Sequence, residues 1–187
     1  LLPLAPSILV MPDAARDDSP EINEFVENGG LLIRFAGPKL AQRPDEYLPV
    51  RLRSGGRALG GALTWEEPQN FSEFSPDSPF FGLSIPEDIE VKQQVMAEPG
   101  AETDSRTWAR LEDGSPVVTA KDQGFGRIVL FHVTADPEWS NIPVSGLYVD
   151  MLRRLLSLAK SSSSKGASGE STSDWAPERV LNGFGQF

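Results

Sequence analysis

The chain has 187 residues, enough for one medium domain or a domain with a substantial insertion, and a core of that size needs no covalent staples. Acidic side chains outnumber basic ones by 27 to 17, and the Lys and Arg residues form no cluster, which argues against nucleic acid or an anionic lipid surface as a main partner. Cysteine is absent, which removes disulfides, thiolate metal sites and cysteine nucleophiles together, and no apolar run approaches the roughly 18–20 residues of a membrane helix.

The opening Leu1-Leu2-Pro3-Leu4-Ala5 has neither an initiator Met nor a basic segment, and reads as the edge of a piece of a longer protein. Residues 7–11 form a short apolar run suited to a buried parallel strand, ending at Pro12-Asp13. A helix should follow. Asp18 or Ser19 suits its cap, Pro20 its first turn, and Ile22, Phe25 and Val26 make one apolar face before Asn28-Gly29-Gly30 stops it. Residues 31–36 predict a second buried strand, giving a βαβ unit.

From about Tyr47 to Asp122 the pattern turns β-rich. Residues 48–53 and 89–95 alternate like half-exposed strands, and Gly55-Gly56 and Gly60-Gly61 are turn glycines. The Pro-, Ser- and Phe-rich residues 71–81 suit an ordered loop, and residues 107–120 have a hairpin pattern around Glu112-Asp113-Gly114. Residues 127–133 are apolar again and return to the central sheet, so the β-rich segment is an insertion between two halves of an α/β core. Asn141 and Pro143 suit the start of a last helix carrying Leu147, Met151 and Leu155 on one face. Residues 161–174 are Ser- and Gly-rich and predict a flexible linker, with residues 175–187 a tail into a following module.

Chemistry in an open α/β sheet gathers at the carboxyl ends of the strands. His132, the chain's single histidine, ends one such strand, as a base or as a core residue bonded to a backbone carbonyl. Asp13 and Asp136 are the carboxylates that could work with it. Arg34 is charged inside an apolar strand, so it pairs with a carboxylate, Asp13 first and Asp136 second, or binds an anion. Trp139 and Ser140 precede the last helix, whose amino end suits a small anionic ligand, although Ser140 lacks the Gly-x-Ser-x-Gly elbow of a nucleophile. Asp13, Asp136 and Glu138 show no metal-ligand spacing, and no glycine motif fits a phosphate, so no cofactor or metal is implied.

A strand and helix leading into Gly29-Gly30-Leu31-Leu32-Ile33 and a tight turn, with a late strand ending Leu130-Phe131-His132, resemble class I glutamine amidotransferase-like domains. More specifically, residues 29–41 (Gly-Gly-Leu-Leu-Ile-Arg-Phe-Ala-Gly-Pro-Lys-Leu-Ala), 48–53, 60–65 and 131–136 (Phe-His-Val-Thr-Ala-Asp) resemble a large bacterial membrane protein family with an N-terminal double-transmembrane, aerotolerance-type region and a C-terminal domain of unknown function. The resemblance spans nearly the whole chain. It implies a flavodoxin-like three-layer α/β sandwich over residues 1–160, with the insertion at about 47–122. It also implies an inner-membrane anchor outside this chain and a periplasmic position. The amidotransferase pattern is broken, however. The turn at Ala36-Gly37-Pro38-Lys39 offers no nucleophile, and the Glu after His132 comes at Glu138, six residues on instead of two. A base with nothing to activate cannot run covalent acyl transfer. The sequence thus suggests a non-catalytic binding domain for a protein partner or a small polar ligand, of unspecified oligomeric state. The alternative is a hydrolase or sugar-modifying enzyme using His132 with Asp13 or Asp136.

Overall fold

A computed structural model describes residues 6–13, 19–53 and 62–166, with side chains to 159. In chain order its elements are β1 (Ile8–Met11), α1 (Pro20–Glu27), β2 (Leu31–Phe35), α2 (Pro38–Gln42), β3 (Ala62–Gln69), β4 (Val91–Val95), α3 (Ala101–Ser105), β5 (Thr107–Arg110), β6 (Pro116–Gln123), β7 (Gly126–Phe131) and α4 (Gly146–Gly166). The protein is therefore α/β, built on a mixed five-stranded sheet of order β1-β2-β7-β6-β5. β1, β2 and β7 run parallel, while β6 and β5 are antiparallel to their neighbours.

The βαβ unit forms as its residues dictate. Pro20 starts α1 behind an extended Ser19, and Ile22 and Val26 are buried. The helix stops where Gly29 adopts φ +104°, letting the Gly30 N–H reach the Phe25 carbonyl at 2.9 Å. β2 is buried along its whole length, so it needs a layer on each side. On one face Leu31, Ile33, Phe35, Val129 and Phe131 pack against Leu147, Met151 and Leu155 of α4, with Phe35 stacked on Phe131 at 5.1 Å. On the other, Leu32 and Ile128 meet α1, and Leu130 meets Leu40, Ala62 and Val95. Gly126 sits so close to α1 that a Cβ there would lie 2.1 Å from the Val26 carbonyl oxygen.

The expected β-rich insertion divides in two. The β5–β6 hairpin, turning at Gly114 with φ +86°, extends the central sheet, whereas β3 and β4 pair as a separate two-stranded sheet. Residues 117–120 are all buried, as a strand covered on both faces requires. Residues 71–81 are ordered by aromatic contacts, with Phe71, Phe74, Phe80 and Trp108 edge to face in succession. Residues 48–53 form no strand beyond an isolated bridge between Leu52 and Ala97.

The last helix begins later than its sequence suggests. Asn141 heads a separate 3-10 turn, Ile142–Val144, and spends its side chain on the Glu90 N–H (2.8 Å) and the Asp88 carbonyl. Ser145 takes over the capping, accepting the Tyr148 N–H at 3.2 Å. The α4 backbone continues to Gly166, into the stretch expected as a linker; the rest of that stretch, the 175–187 tail, Asp18 and the glycine pairs at 55–56 and 60–61 lie outside the described residues. Among the described residues no helix is long and apolar enough to cross a membrane.

Candidate functional site

Because β1, β2 and β7 are parallel, their carboxyl ends share one edge, and Asp13, residues 36–40 and residues 132–136 follow them there. Asp13 does not make the pair with Arg34 that the sequence suggested. Its Oδ1 accepts the N–H groups of Gly37 and Leu40, each at 2.9 Å, and its Oδ2 that of Lys39 at 3.1 Å. The carboxylate thus closes the first turn of α2, taking the backbone donors that an anionic ligand would use there. Gly37 permits this approach, since a Cβ would stand 2.6 Å from both Asp13 Cγ and Thr134 Cγ2.

Arg34 pairs instead with Asp45 inside the protein, and its Nη1 also donates to the Tyr47 carbonyl at 3.1 Å. The register explains the change of partner. Arg34 lies level with Leu130 in the sheet, and loop 43–50 folds over it, whereas Asp13 has already passed the strand end. Asp136, the second expected partner, accepts the Glu138 N–H at 2.9 Å within its own turn.

His132 is fully buried, with Nδ1 2.8 Å from the Val95 carbonyl and Nε2 3.0 Å from Thr119 Oγ1. A carbonyl only accepts, so Nδ1 carries the proton and Nε2 accepts the Thr119 hydroxyl. Burial pushes the imidazole down to about 4, against a smaller upward effect of the Val95 bond. The backbone repeats the connection, the Val95 N–H meeting the His132 carbonyl at 2.7 Å. His132 therefore fastens β4 to the central sheet, and neither Asp13 nor Asp136 is bonded to its ring. Thr119 was not legible as its partner, because 13 residues separate them and only the β6–β7 register brings them together.

Trp139 and Ser140 do not present an anion site at α4, since the 3-10 turn intervenes. The Trp139 carbonyl accepts the N–H groups of Lys92 and Gln93 at 2.8 and 3.1 Å, and Ser140 bridges to Val91. Ser140 is fully buried, and its Oγ has no hydrogen-bond partner among the described residues. β4 thus lies beside His132 and residues 139–140, past the end of β7. No three His, Asp or Glu side chains among the described residues cluster so as to hold a metal ion.

A separate concavity of about 430 Å³ opens between residues 44–52 and the α3 region. Asp45, Arg51, Glu98, Glu102 and Arg106 line it, Asp45 with its charge already met by Arg34, and Leu48 and Val50 form an apolar wall. Arg106 is held by its Nη1, which donates to Glu102 Oε1 at 2.8 Å and to the Pro49 carbonyl. Close by, Lys121 Nζ donates to the Glu46 carbonyl at 3.1 Å; burial, then the Arg106 charge, lowers its pKa, against the carboxylates of Glu46, Asp45 and Glu102. Sequence reasoning missed this site. Residues 48–53 were legible only as an alternating strand, and α3 carried no recognised helix signal.

The architecture belongs to the α/β class with a mixed central sheet. No protein-family model matches the chain, and no curated protein is similar to it. Among solved structures it is similar to the cytoplasmic protein STM3548 from Salmonella typhimurium, at 17% identity and TM-score 0.61 over 81% of this chain and 70% of that one. It is also similar to the cytoplasmic protein STM1381 from Salmonella typhimurium LT2, at 10% identity and TM-score 0.54, covering 71% of this chain and 62% of that one. At these identities the likeness speaks for the fold alone.

Proposed function

We propose that this chain is a non-catalytic, class I glutamine amidotransferase-like domain of flavodoxin-like topology. In this reading it serves as a binding module for a protein partner or a small polar ligand. Its parent is a bacterial protein anchored in the inner membrane by segments outside this chain, with the domain on the periplasmic side. The sequence resemblance supplies the family and the membrane context. The observation that carries the non-catalytic part is His132, whose two ring nitrogens are both engaged, by Thr119 and by the Val95 carbonyl. A general base needs a lone pair within reach of a substrate proton. Here the accepting nitrogen faces a buried threonine, and the matching turn at Ala36-Gly37-Pro38-Lys39 carries no nucleophile.

The test is a turnover assay on the wild-type chain and on His132→Asn. Glutamine, nitrophenyl glycosides and nitrophenyl esters serve as probes. No turnover above the buffer rate is expected from either protein. Hydrolysis of any probe by wild type that His132→Asn abolishes would overturn the reading.

A further inference from the structure

The open concavity gathers charged groups of both signs around one hollow. Leu52 bridges Ala97 in antiparallel fashion, and the Glu98 N–H meets the Arg51 carbonyl at 2.8 Å, so Arg51 and Glu98 face each other across the pair. Both are exposed, and neither side chain makes a hydrogen bond or ion pair among the described residues. Arg106 is different, being pinned through one terminal nitrogen by Glu102 and the Pro49 carbonyl. A guanidinium has five N–H donors, so those on Nε and Nη2 remain for a ligand, on a side chain whose position is already fixed.

Charge then limits what fits. A dianion would face Glu98 and Glu102, and a simple cation would face Arg51 and Arg106. One carboxylate together with hydrogen-bond donors satisfies both signs. The volume, about 430 Å³, suits a compact metabolite. We propose that this concavity binds a small organic monocarboxylate carrying hydrogen-bond donors, its carboxylate on Arg106 and Arg51 and a donor on Glu98. The proposal rests on the binding-module reading and deepens it by naming a site and a ligand class.

The test is a titration of the isotope-labelled 187-residue chain, followed by its amide resonances. Four probes divide the chemistry: glucuronate supplies a carboxylate with hydroxyl donors, β-alanine a carboxylate with an ammonium, succinate a second carboxylate, and glucose hydroxyls alone. Saturable shifts are expected at residues 44–52 and 98–106 with glucuronate or β-alanine; whichever binds tighter identifies the donor as hydroxyl or ammonium. Succinate and glucose should bind at least about tenfold more weakly, each losing one charge-assisted contact or meeting like charge. Arg51→Gln and Glu98→Gln should each weaken the better probe by about tenfold, and both replace exposed side chains in a chain expected to stay folded. Equal binding of all four probes, shifts confined to residues 13 and 36–40, or no saturable shift with any probe would each overturn the proposal. With no shift and no change in the probes, the binding-module reading survives with a protein as its partner. Conversion of a probe into a product, seen in the probe's own resonances, overturns that reading instead.

Discussion

Two regions of this protein use charge in opposite ways. At the carboxyl ends of the parallel strands Asp13 and His132 are spent on backbone N–H groups, a backbone carbonyl and a buried hydroxyl, while Asp136 lies exposed and accepts one N–H within its own turn. At the concavity beside residues 44–52, Arg51 and Glu98 stand exposed with no side-chain partner among the described residues. For the fully buried His132 the first arrangement is what a polar group requires, since an unmade bond there costs the full desolvation of the group, while the half-buried Asp13 spends its carboxylate on the α2 turn. The second is what a ligand requires, because groups already satisfied by the protein have little left to offer. Chemically suggestive residue types at the expected edge of an α/β sheet therefore do not suffice to mark a site; what matters is whether their bonds are spent.

Substitutions break this contrast in a graded way. The largest loss is expected for Asp45→Ala, which removes a buried carboxylate from the buried Arg34 guanidinium, at about 3–5 kcal/mol by denaturant unfolding. His132→Ala comes next, at about 2–4 kcal/mol, because it opens a cavity and strands both the Val95 carbonyl and the Thr119 hydroxyl. A catalytic histidine outside the core would not carry that cost.

The same ring gives a pH signature. Its folded value near 4 lies below the ordinary 6.5, so the unfolded chain takes up the proton first as pH falls. Its stabilising effect is complete above pH 6.5, declines between there and about 4, and is then fully lost. The total is on the order of 3 kcal/mol, at 1.36 kcal/mol per pKa unit. Subtracting the unfolding curve of His132→Asn, which has no titrating ring, isolates this component from the carboxylates. A flat difference between pH 4 and 6.5 would mean that the ring is not buried as described.

How much of this was legible in the sequence follows from the range of each interaction. The βαβ unit, the β5–β6 hairpin and the return of β7 are written in local periodicity and turn residues, and they formed where expected. The bond from the His132 ring to a backbone carbonyl was one of the two readings its sequence position allowed. Asp45 was not legible as the Arg34 partner, because it sits in an irregular loop whose path over β2 depends on the whole layer. Asp13 was recognised as a strand-end carboxylate but not as a cap, since that role depends on α2, a five-residue helix too short to show periodicity. The concavity escaped for a related reason: its charged residues come from two segments joined by a single isolated bridge.

Asp13→Ala should cost about 1–2 kcal/mol, the range for removing a helix cap, because water can reach part of the turn it closes. Asp13→Asn keeps an acceptor and should lose less. If Asp13 instead served a ligand, its removal would leave stability unchanged or raise it, as removing functional groups from strained sites often does.

The smallest effect is the most discriminating. Arg51→Gln and Glu98→Gln should change stability by no more than about 0.5 kcal/mol, the usual range for exposed side chains away from special contacts. Facing each other across the Leu52–Ala97 bridge, they form at most a weak cross-strand pair, of the kind worth a few tenths of a kcal/mol. Their double variant should therefore be additive in unfolding, with a coupling below about 0.5 kcal/mol. A larger coupling would show that the two charges hold the 51–53 and 96–98 segments together, and the rim of the concavity would then belong with the closed, self-satisfied strand ends. Additivity in stability combined with weakened glucuronate or β-alanine binding in each single variant would separate the two regions by energy as well as by geometry.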